Sequence, residues 1–297
     1  MSRPRGCLKN GLLGCLGLFV ILVLITGVTA LMAWRGLDAQ EVTDRNLAPD
    51  VSLAASGEDR GGKVILELHH GEFEINPARP GEGVSVEARF DESSYELLET
   101  FEQGGADGWV YTVGFRRTTS GLQAILQALM GGGTETYVRV YLPEDVPIDL
   151  TALVGEGGCV ADLGGMWLTK ADLRFEKGGF DLDISEPLRE PMERLTIRGR
   201  MGGFAASRLG NASPGILDVN CSMGGADVDL SGAWLNDSDI TMAIRMGGMA
   251  VGVPRDVETE GTTLSSHGLR ETDSEIPVPV LRFNYRASMG EIDFMRR

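Results

Sequence analysis

A Gly-Gly corner flanked by two alternating strands returns throughout this chain and leaves little freedom about what it can fold into. In ILDVNCSMGGADVDL, residues 216–230, Leu217, Val219, Cys221 and Met223 share one face, while Asp218, Asn220 and Ser222 share the other. Beyond Gly224-Gly225 the alternation resumes, with Ala226, Val228 and Leu230 facing in and Asp227 and Asp229 facing out. A period of two with one apolar side is the pattern of a half-buried strand. The phrase recurs at 173–184, 195–207, 240–253 and 281–294. First glycines at Gly157, Gly178, Gly202, Gly224 and Gly247 are spaced by 21, 24, 22 and 23 residues. Such a period means stacked supersecondary units. The expected fold is all-β, a β-solenoid-like (single-stranded β-helix) domain of roughly 22-residue Gly-Gly-cornered repeats. At each corner a Cβ would collide or φ must be positive, which calls for glycine.

The domain is expected over 62–297. It opens with VILELHHGEFEINP (64–77), a shorter form of the same phrase with its corner at Gly71. Further strands are read at 84–90, 95–103 and 109–117, the last two joined through Gly-Gly-Ala-Asp-Gly as a hairpin. One segment breaks the rhythm. Leu122, Ile125, Leu126, Leu129 and Met130 recur at helical spacing between Ser120 and Gly131, which predicts a short amphipathic helix over 120–130. Its apolar stripe either shields a sheet edge or docks a partner. Residues 255–276 hold few apolar and several acidic side chains and read as a mobile loop. The strand after it is expected to complete the core.

The first 61 residues have another character. Residues 1–10 form a short basic cytoplasmic tail, 11–34 an apolar transmembrane helix, and 35–61 a polar linker. The uncharged stretch between Lys9 and Arg35 is 25 residues long. As a helix it would run roughly 37 Å, enough to cross a ~30 Å hydrocarbon core with some tilt. Trp34 sits where an interfacial anchor belongs, and Arg3, Arg5 and Lys9 keep the N-terminus in the cytoplasm. A cleaved signal peptide is the competing reading, because Val28-Thr29-Ala30 resembles a cleavage site. The apolar core is longer than such peptides carry, which favours a retained anchor. Leu12-Leu13-Gly14-Cys15 resembles a lipoprotein box but lacks a preceding hydrophobic region.

From residue 134 onward the pattern becomes more specific. A strand ending in Leu142-Pro143, then Val146-Pro147-Ile148-Asp149-Leu150, then strands punctuated by Gly-Gly, resembles the bacterial putative-adhesin or "toast-rack" domains, relatives of the cell-wall-active antibiotic response proteins. The closing Met289-Gly290-Glu291-Ile292-Asp293-Phe294 is similar to how such domains end. The resemblance implies an all-β extracytoplasmic domain without catalytic residues, acting in adhesion or envelope sensing. The 120–130 helix and the 255–276 insertion depart from the pattern.

The chemistry is sparse. Residues 36–297 carry 23 basic and 43 acidic groups, which argues against nucleic acid or anionic headgroups as the main partner. Four cysteines in a chain this long make no disulfide framework; Cys159 and Cys221 read as buried free thiols, and a bridge between them would need coinciding rungs and faces. His69 and His70 are adjacent on a strand and point to opposite faces, and His267 lies in the acidic loop. The sequence holds no G-x-S-x-G elbow, phosphate loop, H-E-x-x-H or zinc spacing. GGFDLDI (178–184) and GGADVDL (224–230) loosely resemble calcium-binding repeats, but Ala205 and Ser207 replace the carboxylates on the rung between.

No catalytic, cofactor-binding or metal residue is assigned, and no small-molecule substrate is evident. The leading expectation is a non-enzymatic, membrane-anchored module of the bacterial cell envelope. It would bind or adhere to an envelope protein or cell-wall polymer, or serve an envelope-stress system. The alternative is a polysaccharide-active enzyme on a β-helix scaffold, for which Glu190, Glu193, Asp227 and Asp229 offer carboxyls. A third reading makes the chain a signalling accessory whose anchor packs through Gly11, Gly14 and Gly17.

Overall fold

The computed structural model describes residues 21–24, 26–27, 42–47, 61–103, 108–118, 136–262 and 278–297. The chain forms two units, Met1–Glu41 and Val42–Arg297. In the first unit residues 21–24 and 26–27 are helical. The rest of the expected 11–34 span lies outside the described residues, among which no helix is long and apolar enough to cross a membrane.

The second unit is all-β, built on one large mixed sheet. Its heart is six long, bent strands: β8 (Ile148–Asp162), β9 (Leu168–Asp183), β10 (Arg194–Ser207), β11 (Ile216–Asp229), β12 (Ser238–Val253) and β14 (Val280–Arg296). They lie parallel, each in register with the next, and Gly157, Gly178, Gly202, Gly224, Gly247 and Gly290 form one column. The uneven spacing of these glycines is absorbed by the loops between rungs.

The same rung is continued upstream by pieces. β2 (Gly62–Leu68) and β3 (Gly71–Pro77) pair with the two halves of β8, placing Gly71 opposite Gly157. β6 (Trp109–Arg117) and β7 (Tyr137–Leu142) pair in turn with β2 and β3. The expected 120–130 helix falls between β6 and β7, outside the described residues. β4 (Ser85–Asp91) and β5 (Tyr95–Gln103) then run backwards across β7 and β6, closing this end of the stack with an antiparallel rung. The expected 95–103/109–117 hairpin is this β5–β6 pair.

Why the corner is glycine is plain at Gly224. Its φ is +133°, and a Cβ built there would overlap the carbonyl oxygen of Gly202 on the rung before. The same overlap, each time with the preceding glycine's carbonyl, recurs up and down the column. The second glycines are different. A Cβ on Gly179, Gly225 or Gly248 would meet nothing within 4 Å, and the last rung carries Glu291 in that column.

Side chains on the inner face stack rung upon rung. Leu195, Leu217 and Ile240 form one buried column, Ile197, Val219 and Met242 the next, and Ala206, Val228 and Val251 another beyond the corner. Where Phe175 needs room, the next rung has Gly199: a Cβ there would run into the Phe175 ring. Phe175 stacks on Phe180 at 4.9 Å and meets Phe204 edge-on at 5.2 Å. Leu163, Ile184, Leu209 and Leu230 bury the turns that leave each rung. Those turns are tied across rungs as well: Asn211 Nδ2 donates to the Ile184 carbonyl at 2.8 Å, and Asn211 Oδ1 accepts from the Ala233 amide at 3.0 Å.

Four expectations change. Met223, read as inward, is only half-buried; ladder pairing lapses one residue earlier, at Ser222, so the residue before the glycine swings to the outside of the bend. Within the 35–61 linker, β1 (Val42–Leu47) pairs antiparallel with β4. Held by backbone bonds at a sheet edge, it needs no apolar alternation to form. The 255–276 segment is partly ordered. Val257 is buried and β13 (Glu258–Glu260) pairs with Val280–Arg282, while 263–277 lies outside the described residues. Nor does the last strand close the core: Leu281 and Phe283 are buried, but Tyr285 is 40 % exposed.

Urea unfolding should separate the two glycine columns. Gly224→Ala is expected to cost about 1–3 kcal/mol through backbone collision and strain, whereas Gly225→Ala should be neutral or gain up to about 1 kcal/mol. Equal losses at both positions would contradict the register described here.

Candidate functional site

The outer side of the corner carries two parallel columns, one on each flank of the glycines. The first, immediately before the corner, reads His70, Glu156, Lys177, Met201, Met223, Met246 and Met289 from one rung to the next. Its upstream half is an ion-pair ladder. Glu156 accepts from Lys177 Nζ and lies 3.1 Å from His70 Nε2. The Lys177 hydrogen bond and charge, then the nearby His70, hold the Glu156 carboxyl below its usual range. All three side chains are well exposed, so the ladder contributes little stability. The downstream half is four methionines on adjacent rungs, a stripe of flexible thioethers that ends with Met289, 64 % exposed.

Beyond the corner lies an open groove of about 530 Å³. Its floor is the backbone of Gly203, Gly225 and Gly248 with the methyl groups of Ala205 and Ala250. Asp181, Asp227 and Asp293 stand along it, one on every second rung of a single column. Successive carboxylates are therefore roughly 9–10 Å apart. Asp227 lies 3.4 Å from Arg297 Nη2; Asp181 and Asp293 have no ion pair among the described residues. The groove exists because the second glycines carry no side chain and the alternate rungs carry only alanine.

Two residues further on, the aspartates do a different job. Asp162 Oδ1 accepts from the amides of Gly164 and Ser185, at 3.0 and 3.2 Å. Asp229 accepts from the Ser231 amide and hydroxyl, each at 3.0 Å, and Asp183 pairs with Arg208. These carboxylates shape the exits from the rungs, so Asp229 is more than a solubilising surface group.

The carboxyls considered for catalysis are not gathered. Glu190 is exposed in the loop before β10, Glu193 pairs with Lys170 at 3.0 Å, and Asp227 and Asp229 occupy the far half of β11. Among the described residues no group of three or more His, Cys, Asp or Glu side chains could hold a metal ion. His69 and His70 share no partner: His70 reaches Glu156, while the His69 ring lies against Gly155. His267 lies outside the described residues. Cys159 and Cys221 are buried free thiols on β8 and β11, three rungs apart and on opposite sides of the corner, so they form no bridge.

The methionine column was visible in the sequence as the repeated Met before Gly202, Gly224, Gly247 and Gly290, but period-two counting assigned Met223 to the inside. The groove had no sequence signal beyond the alternation of Asp and Ala in one column.

No family model matches the chain, and no curated protein matches it. Solved structures do. A putative cell adhesion protein from Clostridium sporogenes shares the fold at a TM-score of 0.54 and 14 % identity, with 86 % of this chain and 100 % of that one covered. A putative adhesin from Bacteroides fragilis aligns over 86 % of this chain and 98 % of its own at 8 % identity, with a lower TM-score of 0.41. At such identities the likeness speaks to fold alone.

Burial, reinforced by the charges of Asp181 and Glu72, pushes the Cys159 thiol up to about 12, and burial raises Cys221 as well. Neither should react with a thiol reagent at mildly alkaline pH while the protein is folded, and both should react in urea. Rapid native-state labelling of either, read by peptide mass spectrometry, would contradict the inward placement.

Proposed function

We propose that this chain is a non-enzymatic binding or adhesion module of the bacterial cell envelope. Its stacked rungs would form a β-solenoid held outside the cytoplasmic membrane by a single-pass anchor at 11–34. The observation that carries the reading is the outer surface of the corner. There an acidic groove and a thioether stripe run side by side across successive rungs, offering one repeating pattern of contacts to an extended partner. An array with a period of two rungs suits a chain-like ligand better than a small molecule. The carboxylates select for positive charge, so the partner is an amine-bearing cell-wall polymer or a basic segment of an envelope protein, and not nucleic acid. The fold shared with the putative cell adhesion protein from Clostridium sporogenes is consistent with this role, and an envelope-stress accessory would use the same surface. No observation specifically favours the polysaccharide-active alternative, since the groove offers no exposed aromatic platform and its one ring, Phe204, is buried.

Two measurements test this. Co-sedimentation of the intact chain with purified peptidoglycan should show binding that weakens with salt. It should fall at least about tenfold when Asp181→Asn and Asp227→Asn are combined, a loss of roughly 1.4 kcal/mol. Binding that ignores both salt and the two substitutions would remove the groove from the interaction. For the anchor, protease added to spheroplasts should degrade the β-domain and spare the N-terminal tail. A mature N-terminus at Leu31 would instead mean cleavage.

A further inference from the structure

The two ends of the rung stack are finished differently. At the upstream end the reversed β4–β5 rung covers β6 and β7. At the downstream end, among the described residues, only the three-residue β13 pairs with the outer edge of β14, through Val280–Arg282. Gly261 lies against the Phe283 carbonyl, and beyond it no described residue pairs with the outer edge of β14. Side chains in the core columns lose their cover there as well. Val219 and Met242 are 1 % and 0 % exposed, yet Tyr285 in the same column is 40 % exposed. Ala287 is exposed where Cys221 and Ile244 are buried, and Ile292 and Phe294 are only partly buried. Among the described residues the last rung is therefore covered at Leu281 and Phe283 and left without a neighbour from Tyr285 onward.

We propose that a second copy of this chain covers it, β14 pairing antiparallel with β14 about a two-fold axis through the corner. At the other end of the molecule β7 and β6 accept antiparallel neighbours, β4 and β5, whose connecting turn stands where that rung is interrupted. Placing the axis between Met289 and Gly290 aligns the two bends and fixes the opposing pairs over 284–295, short of the stretch at Val280–Phe283 that β13 and Gly261 cover. Tyr285 then faces Phe294, and Ala287 faces Ile292, all on the core side. On the outer side Arg286 faces Asp293. Each pair occurs twice by symmetry. A shift of one residue would set inward side chains against outward ones.

The charges fit this register. Arg282, on the paired part of the strand, lies within ion-pair distance of Asp237, Asp239 and Glu260. Arg297 is engaged by Asp227 and Asp229. Arg286 and Asp293 have no ionic partner among the described residues, and they are the two that the axis brings together. Opposite charges directly across an antiparallel pair stabilise it, and an unprotected strand edge with apolar side chains is otherwise a site of uncontrolled association.

The test is the mass of the intact chain in mild detergent, by light scattering and sedimentation over about a hundredfold range of concentration. A dimer is expected. Arg286→Asp and Asp293→Arg should each raise its dissociation constant by at least about tenfold, and combining them should restore it to within a few-fold. As an independent check, Met289→Cys, in a chain whose Cys7 and Cys15 are replaced by serine, should give a disulfide-linked dimer, because the two copies of that position flank the axis. Four results would overturn the proposal: a monomer throughout, a dimer indifferent to both charge reversals, a double variant no better than the singles, or no cross-link at residue 289. A monomer that dimerises only after deletion of 263–277 would also overturn it, by assigning the edge to that segment.

Discussion

The structure depends on one close approach, that of a carbonyl oxygen on one rung to the Cα of the corner glycine on the next. At a strand spacing of about 4.8 Å a backbone that bends at the same place on every rung brings carbonyls against the inside of the following bend. Only a residue without Cβ fits, and a Cα–H···O contact of this kind recurs between adjacent strands. The glycine column is therefore what keeps successive rungs in register despite repeats of unequal length. Once Gly178, Gly202, Gly224 and Gly247 are superposed, every residue of a rung has a fixed partner on either side. Extra residues can go only into the loops.

Register then dictates the chemistry of the surface. A residue type repeated in one column makes a continuous ladder, which suits apolar side chains inside and thioethers outside but not like charges. Carboxylates on adjacent rungs would repel one another. The column beyond the corner avoids this by alternating Asp181, Ala205, Asp227, Ala250 and Asp293. The methionine column solves a related problem. Residues just before the corner stand outside the bend and must cover the backbone of their neighbours, and an unbranched side chain adapts to each neighbour better than a stiff one. Upstream, the same coverage comes from the polar His70, Glu156 and Lys177, with Glu156 in contact with both neighbours.

Most of the rung architecture was legible in the sequence because it rests on local patterns. Alternation marks the strands, and the repeated Gly-Gly marks the corners with their correct neighbours. What escaped rests on geometry that alternation does not encode. Met223 obeys period two up to Cys221 and then departs from it, because the bend begins one residue before the glycine. Asp229 looks like any outward acid until its bonds to Ser231 are seen. β1 contains too few apolar residues to announce itself, being held by its backbone along β4. The exposed groove was illegible for a simpler reason: it is made of missing side chains on rungs that only the three-dimensional register brings together.

A stack of identical interfaces has no intrinsic stopping point, so its ends are where specificity has to be supplied. Upstream, the chain reverses direction. An antiparallel rung changes the hydrogen-bond pattern and presents a different edge, itself shielded in part by β1. Downstream there is no reversal, and the devices that mark β14 as terminal are charged. Arg282 is held by three carboxylates on neighbouring segments, and Asp237 also accepts from the Val280 amide at 3.0 Å. These contacts pin the start of β14 and secure the short β13 beside it. They leave the bend and the strand around it available for pairing, where Arg286 and Asp293 have no ionic partner among the described residues, while Arg296 is bonded to the carbonyls of Pro254 and Val257. A two-fold contact there is self-limiting, since it consumes both open edges and leaves the reversed rungs at the two far ends. Because the axis exchanges the two arms of the bend, the acidic column of one copy would end against the arm of the other that carries Arg286, and the groove and the methionine stripe would change flanks at the contact.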